Sequence, residues 1–486
     1  MPMISSRSTG FPNHSRQGGL PWFPAMPRRG RWRTSTAPTS AIGGGGKRLT
    51  KLAAAMADAP NQSLPKQCGR WGDLKAAYRL LNHPQIRPDQ ITAVHRQCTW
   101  QKAQQAPVVL CVQDTTDLDY THRTAVRGLG KIGDGRGRGF RQHTGLAVSE
   151  HGQVLGILHQ EWFLPCEPSE GETRRQRQAR WSEPDVWGDT ARGVGVWPRP
   201  SRLIHVGDRH SDVFRFLCIC RELGHGFLVR AMHDRYLDDG TEHLWERLRR
   251  QPVRFVQTVE VRAQRTPNNR LKRSSRSARV TVRYASVVLP PPRNDPRTAG
   301  QPPIRAWAIH VWEQDPPAGE TPLEWMLLTS EPVQTDADAE RCLQWYGQRW
   351  TIEEWHRALK EGCQVERSQM DDVHDLQRLA ALAGVIAVRM LQLRDLADAG
   401  CPDADSPVAL QKAAPPAWIE VVSRLAGQTP EALTPRAFLL MIARRGGYLG
   451  RKHDARPGWK VLWRGWYDIE RMVEGLQLMR APPRCG

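Results

Sequence analysis

The chain has 486 residues, 39% of them hydrophobic and 25% charged, with a mean hydropathy of −0.57. Its 70 Lys and Arg outnumber 50 Asp and Glu, and the resulting net charge of +20 makes a polyanion the expected partner, because such side chains release counterions from phosphate backbones. The longest nearly uncharged apolar run, Leu379 to Val388, is half of the roughly 20 residues that a membrane span needs, and no secretory stretch follows Met1, so membrane and export readings are set aside.

Residues 1–46 read as a basic extension, disordered or aberrant; the first 41 carry six Arg, six Pro and no acid, without hydrophobic periodicity. From Lys47 to about Gln105 the spacing is helical, as in Leu49, Leu52 and Met56, and again in Leu74, Ala77, Tyr78 and Leu81. Val108 to Thr116 predicts a buried strand, and Thr144 to Val148 and Val154 to His159 predict two more. Arg202 to Gly207 predicts a fourth, running into Asp208, followed by a helix over 212–223 and a strand over 227–231. Alternating segments between Phe255 and Trp325 indicate a β-rich insertion at about 232–325. Ala337 to Glu361 and Leu376 to Ala397 predict long helices, and the remainder through Arg480 is mostly helical.

Several chemistries are excluded. The ten cysteines include no CxxC, and Cys218 and Cys220 have no second pair at zinc-finger distance, so small buried thiols in a reducing cytosol are expected. No HExxH is present. Gly128 to Gly133 fits GxGxxG without the strand-turn-helix context, and Gly43 to Lys47 lacks both the first Gly and the Ser or Thr of a P-loop.

Two acids end apolar strands, Asp114 in Val-Gln-Asp-Thr-Thr and Asp208 in His-Val-Gly-Asp-Arg. Each alone is most simply a turn or helix cap, although the carboxyl end of a buried strand in an α/β sheet is where ligands bind. A third acid lies in Tyr346-Gly-Gln-Arg-Trp-Thr-Ile-Glu-Glu-Trp-His-Arg-Ala-Leu-Lys360. Advancing about 100° per residue from Tyr346 places Arg349 near −60°, Glu353 near −20° and Lys360 near −40°, one polar stripe on a helix flanked by Trp345, Ile352, Trp355 and Leu359. A solvated stripe with an i,i+4 Arg–Glu pair is the plain alternative. Three converging carboxylates repel one another unless a divalent cation joins them, and oxygen ligands suit Mg2+ (or Mn2+). Arg349 and Lys360 would then hold phosphates, and Tyr346 would stack or donate a hydrogen bond.

The Y-x2-R-x3-E-x6-K spacing of Tyr346, Arg349, Glu353 and Lys360, with Gln113-Asp-Thr-Thr and Val206-Gly-Asp-Arg, resembles the signature of the IS4 family of DDE transposases. The likeness runs from about Lys47 to Met479 and includes Leu158-His-Gln-Glu-Trp, Trp325-Met-Leu-Leu-Thr-Ser-Glu-Pro and Ile442-Ala-Arg-Arg-Gly-Gly. It implies an α/β protein with an RNase H-like catalytic core at 106–375 that carries the β insertion, an N-terminal helical DNA-binding module at 47–105 and a C-terminal helical dimerisation domain at 376–486. It also implies a cytoplasmic, nucleoid-associated enzyme that nicks transposon ends, excises through a hairpin and joins 3′-OH ends to target DNA as a synaptic homodimer. Asp114, Asp208 and Glu353 would hold the metals; Tyr346, Arg349, Lys360, Arg357 and Arg230 would contact DNA, and Trp325 would stack on a flipped base. Where the family has a Gly-Asp-x-Arg segment, this chain has Gly43-Gly-Gly-Gly-Lys-Arg-Leu.

Basic runs at Val261 to Arg283 and Arg123 to Arg141 are expected to track duplex DNA, the alternative being solvated loops. Two other functions are compatible with the sequence: a non-catalytic DNA-binding protein that inhibits transposition by dimerising, and a structure-specific nuclease.

Overall fold

The computed structural model describes residues 45–480 apart from 166–170, 174–175, 177–179, 238–239, 241, 262, 266–270, 294, 399, 452–453 and 455, so most of the expected N-terminal extension lies outside the described residues, as do Cys166 and Cys485. Four helices come first: α1 (Gly45–Asp58), α2 (Leu64–Cys68), α3 (Trp71–Leu81) and α4 (Pro88–Ala103). Strands β1 (Val108–Asp119), β2 (Gly130–Ile132), β3 (Gly137–Ser149) and β4 (Val154–Phe163) follow, then α5 (Val186–Val194), β5 (Arg202–Gly207), α6 (Phe214–Leu223), β6 (Gly226–Arg230) and α7 (Leu244–Arg249). The insertion contributes β7 (Phe255–Val261), a small hairpin of β8 (Gln264–Arg265) and β9 (Leu271–Arg273), β10 (Arg276–Leu289) and β11 (Ile304–Glu313), and leads into β12 (Glu324–Thr329). Helices α8 (Asp336–Gly347), α9 (Trp350–Arg357), α10 (Val373–Leu396), α11 (Pro407–Ala413), α12 (Pro416–Ala426), α13 (Pro435–Arg445) and α14 (Trp459–Arg480) complete the chain.

These elements form two compact units, one of residues 96–117 and 141–353, the other containing residues up to 95 together with 118–140 and 354–486. The first is a mixed α/β unit built on a sheet in the order β3-β1-β5-β6-β12-β11-β10-β7, with β4 paired to β3. Strands β1, β5 and β6 are parallel, and β12, β11, β10 and β7 continue the sheet antiparallel. Period-two alternation sends Phe227, Val229, Met326 and Leu328 to one face, where they meet Trp187 of α5, Phe216 and Leu217 of α6, and Leu244 and Leu248 of α7. Each large side chain buried there contributes about 1.5–3 kcal/mol. The opposite face of β5 and β6 receives α8, whose start is set by a capping box between Thr335 and Asp338.

The long helix expected over 337–361 is interrupted. The Arg349 and Thr351 amides donate to the carbonyls of Tyr346 and Gln348, both at 3.0 Å, and this i→i+3 turn separates α8 from α9. A π-helical turn over Ala358–Gly362 then closes α9.

In the second unit α10 is the central helix. It is 24 residues long with a mean hydropathy of 1.4 over its best window, long and apolar enough by composition to cross a membrane, which the ten-residue run seen in the sequence understated. However, 89% of that window is buried inside the protein, as in the core helix of a soluble fold. Trp355 Nε1 donates to the Gly384 carbonyl (3.1 Å), and Arg378 donates to the carbonyls of Leu81 (2.9 Å) and Ile86. Helices α13 and α14 touch backbone to backbone: a Cβ on Gly465 would lie 1.7 Å from the Ile442 carbonyl oxygen, so only glycine fits. Strand β2 pairs with the first residues of β3, which explains why the GxGxxG match at 128–133 opens no helix.

Candidate active site

Strand register brings the first two acids together. Val112 faces Val206 across the parallel β1–β5 ladder, so two residues further on Asp114 stands beside Asp208 on the same face of the sheet. At that point the ladder is ending and the carboxylates take over free amides: Thr115 N–H donates to Asp114 Oδ1 (2.8 Å) and His210 N–H to Asp208 Oδ1 (2.8 Å). Asp208 thus caps the short turn over Arg209–Ser211 and faces Asp114 as well. The capping and functional readings of this residue are compatible.

Helix α9 supplies the third acid. Arg349, in the turn before α9, donates from Nη2 to Glu353 Oε1 at 2.7 Å and places Nη1 3.9 Å from Asp114 Oδ2, so one guanidinium bridges two of the acids. The side chains of Asp114, Asp208, Glu353 and Arg349 are 23%, 29%, 29% and 19% exposed, enough for a ligand to reach them. By the β5–β6 register Arg230 neighbours Asp208, and its Nη2 donates to the Glu324 carbonyl (2.9 Å). Arg230 pairs with Leu327 of β12, which puts Trp325, two residues earlier, on the acid-bearing face of the sheet, half-buried.

The electrostatics record this crowding. Burial, then the charge of Asp208, pushes the Asp114 carboxyl up to about 6, with Glu353 adding to the rise and the Thr115 amide and Arg349 opposing it. Burial likewise raises the Tyr346 phenol, while the nearby Arg349 and Arg230 pull it down. Burial disfavours the Arg349 charge, yet its bond to Glu353 and the fields of Tyr346, Glu353 and Asp114 leave its pKa raised. Asp114, Asp208, Glu353, Arg349, Tyr346 and Arg230 therefore share one electrostatic neighbourhood.

Two other expected residues belong to the second unit. Lys360 lies in the π turn that follows α9, and its Nζ is 3.3 Å from Glu366 Oε1. Arg357 is exposed, also in the second unit. The two basic runs are partly structural. Arg276 pairs with Glu313 at 2.8 Å and with Glu320, and Arg283 is buried. Arg141 pairs with Asp117 (3.0 Å) and Glu183, while Arg123 donates to the Arg367 carbonyl (2.6 Å). Spacing alone does not distinguish a cation held by a carboxylate from one open to phosphate.

The sequence reading passed over Gln113, Thr115, His143, His205 and His225, which join hydrogen bonds beneath the acids. The available signal was a polar residue inside an otherwise apolar strand, Gln113 in Val-Leu-Cys-Val-Gln and His205 in Leu-Ile-His-Val. Among the described residues no group of three or more His, Cys, Asp and Glu is drawn together closely enough to ligate an ion.

An α/β sheet with basic and acidic side chains converging on one face, in a chain of net charge +20, fits a protein that handles nucleic acid. Comparison with known families finds that residues 46–86 match the transposase DNA-binding domain and residues 426–486 the Tn5 transposase dimerisation domain. Both matches are to domains of Tn5-type transposases, and they support the resemblance to that group and, as partners, DNA and a second copy of the chain. Among solved structures it aligns with a cryo-EM structure of the piggyBac transposase synaptic complex with hairpin DNA, at 9% identity and a TM-score of 0.35, over 91% of this chain and 73% of that one. That likeness is too low to carry an argument.

Proposed function

We propose that the chain is a DDE transposase that cuts a mobile element from duplex DNA and joins it elsewhere, with Asp114, Asp208 and Glu353 as the acids of the reaction centre. The observation that carries this reading is the convergence of the three carboxylates around Arg349, with Asp114 in β1, Asp208 just after β5 and Glu353 on α9. The order β4-β3-β1-β5-β6, with β1, β5 and β6 parallel and two of the acids on or just after β1 and β5, supports an RNase H-like core whose insertion would be the strands from β7 to β11.

The donor chemistry suits a hard divalent cation once the three carboxylates close in further than they stand in this structure. All three side chains offer oxygen, burial and then the charge of Asp208 make the Asp114 proton hard to remove, and Arg349 pairs with Glu353 and Asp114 where the cation would sit. Asp114, Asp208 and Glu353 would hold Mg2+ or Mn2+, which when bound supplies positive charge to the attacking and leaving oxygens of a phosphodiester. Arg349 would exchange its carboxylates for the phosphate beside the scissile bond, a fork-to-fork contact, with Tyr346 beside it and Arg230 holding the next phosphate. Lys360 and Arg357 would track the backbone of the same duplex. Trp325, half-buried on the acid-bearing face, would stack on a base turned out of a hairpin end.

The test is Mg2+-dependent cleavage of a duplex carrying the inverted repeat of the chain's own locus, with Glu353→Ala as control. Hairpinned ends that vanish in Glu353→Ala are expected. Binding without cleavage would instead favour the transposition-inhibitor reading. Trp325→Ala should leave the first nick intact and lower hairpin yield; an unchanged yield would reduce Trp325 to a packing residue.

A further inference from the structure

Behind the acids, on the opposite face of the sheet, four buried side chains and the half-buried Thr115 form an unbroken line. Thr115 Oγ1 lies 2.7 Å from His143 Nδ1, and His143 Nε2 lies 3.0 Å from Gln113 Oε1. Gln113 Nε2 is 2.6 Å from His205 Nδ1, His205 Nε2 is 2.9 Å from His225 Nδ1, and His225 Nε2 is 3.0 Å from the Gly195 carbonyl oxygen. Gln113, His143 and His205 are no more than 1% exposed and His225 is 5% exposed.

The direction of every bond follows from the last one. A carbonyl oxygen only accepts, so His225 Nε2 carries a proton. Burial drives His225 down to about 4, against the Gly195 bond, and drives His205 well below its ordinary range, with His225 and His143 adding to the fall, so both rings are neutral at pH 7. A neutral His225 must accept at Nδ1, which makes His205 the Nε2–H donor and leaves its own Nδ1 to accept from the Gln113 amide. The Gln113 oxygen then accepts from His143 Nε2–H, and His143 Nδ1 accepts the Thr115 hydroxyl proton. All three histidines are Nε2–H tautomers in this line, and the Gln113 amide has one permitted orientation. Trp187 packs edge-on against His143 (4.8 Å) and Phe216 against His205 (5.8 Å), which restricts both rings.

We infer that this directional line is a positioning device for the reaction centre, in which His143, Gln113 and His205 lock the middle of β1 and so fix the Thr115 amide that orients Asp114. The inference rests on the assignment of Asp114 to that centre. The β1–β5 ladder ends at Val112 and Val206, two residues before Asp114, while β1 runs on to Asp119, and the line adds side-chain bonds from β1, β3 and β5 at that point. Supporting shells of this kind typically change metal affinity or activity by about 10–100-fold when broken.

The experiment compares wild type, His143→Phe, which keeps the ring shape but cuts the line, and His143→Gln, whose amide can accept from Thr115 and donate to Gln113. Imidazole nitrogen NMR should find His143, His205 and His225 neutral and protonated on Nε2 from about pH 6 to 8; an Nδ1–H tautomer at any of them would overturn the line. Hydrogen exchange at the Thr115 amide should speed up by about tenfold in His143→Phe and far less in His143→Gln. Mn2+ binding followed by electron paramagnetic resonance should weaken by about tenfold or more in His143→Phe, and kcat for cleavage should fall with KM for DNA unchanged, His143→Gln recovering most of both. Equal Thr115 exchange in wild type and His143→Phe would end the positioning role. A wild type that cleaves no DNA would count against the transposase reading instead, while tautomers and exchange still decide the line.

Discussion

Both units bury arginine against carboxylate, and they do so to different ends. In the helical unit Arg378 (7% exposed) meets Asp375 at 2.7 Å and spends further N–H groups on the Leu81 and Ile86 carbonyls. Arg394 is similarly engaged by Glu354, by Asp395 at 2.7 Å and by the Trp459 ring at 4.9 Å. In the α/β unit Arg349 bridges Glu353 and Asp114 with Asp208 close by, all of them partly exposed, and burial, then Asp208, pushes the Asp114 carboxyl up to about 6. The first kind of cluster is saturated and serves as a strut. The second carries negative charge in excess and can be completed only by something that arrives from outside.

That contrast is testable by substitution. Arg378→Met should destabilise the chain by about 3–5 kcal/mol in chemical denaturation, because it strands Asp375 and two carbonyls in a buried site; a loss below about 1 kcal/mol would mean that the cluster is not a strut. Asp114→Asn should do the reverse. Burial and Asp208 hold this carboxyl at about 6 against an ordinary 3.8, so the folded protein binds the proton more tightly than the unfolded chain does. The ionised form therefore costs stability in full above about pH 6, and the cost disappears below 3.8. Asp114→Asn should accordingly gain roughly 1–2 kcal/mol at neutral pH, the gain narrowing toward pH 4, while cleavage is lost. Thermal melts across that range would check both the sign and the window.

Smaller effects sharpen the comparison. Arg349→Met should leave the melting temperature nearly unchanged yet move the Asp114 carboxyl above about 6, read by carboxyl carbon NMR, since one of the two groups opposing its rise is removed. Lys360→Met should change stability by less than about 1 kcal/mol, as expected of a partly exposed pair with Glu366, and reduce the salt dependence of DNA affinity by about one phosphate contact.

Much of the fold is written locally. The apolar run at 108–112, the polar breaks after Gly207 and the Thr335–Asp338 capping signal place β1, β5 and α8 within a few residues, because strand alternation and helix caps depend on near neighbours. The break between α8 and α9 was hidden, since nothing in Gln348-Arg349-Trp350 forbids a continuous helix. Tyr346, Arg349 and Glu353 stay near one another across that break. In the basic runs, Arg276 and Arg141 pair with carboxylates more than twenty residues away in sequence, which spacing does not reveal.

By itself the sequence determined the kind of chemistry: which residues are acids, that each of two follows an apolar run, and that the chain as a whole is cationic. Those are properties of composition and of short-range pattern. Tertiary structure alone decided that Asp114 and Asp208 stand side by side, that Arg349 bridges Asp114 and Glu353, and that three histidines and a glutamine underlie them. Each of these depends on strand register and on how helices pack over a sheet, which are set by the burial of many distant side chains at once.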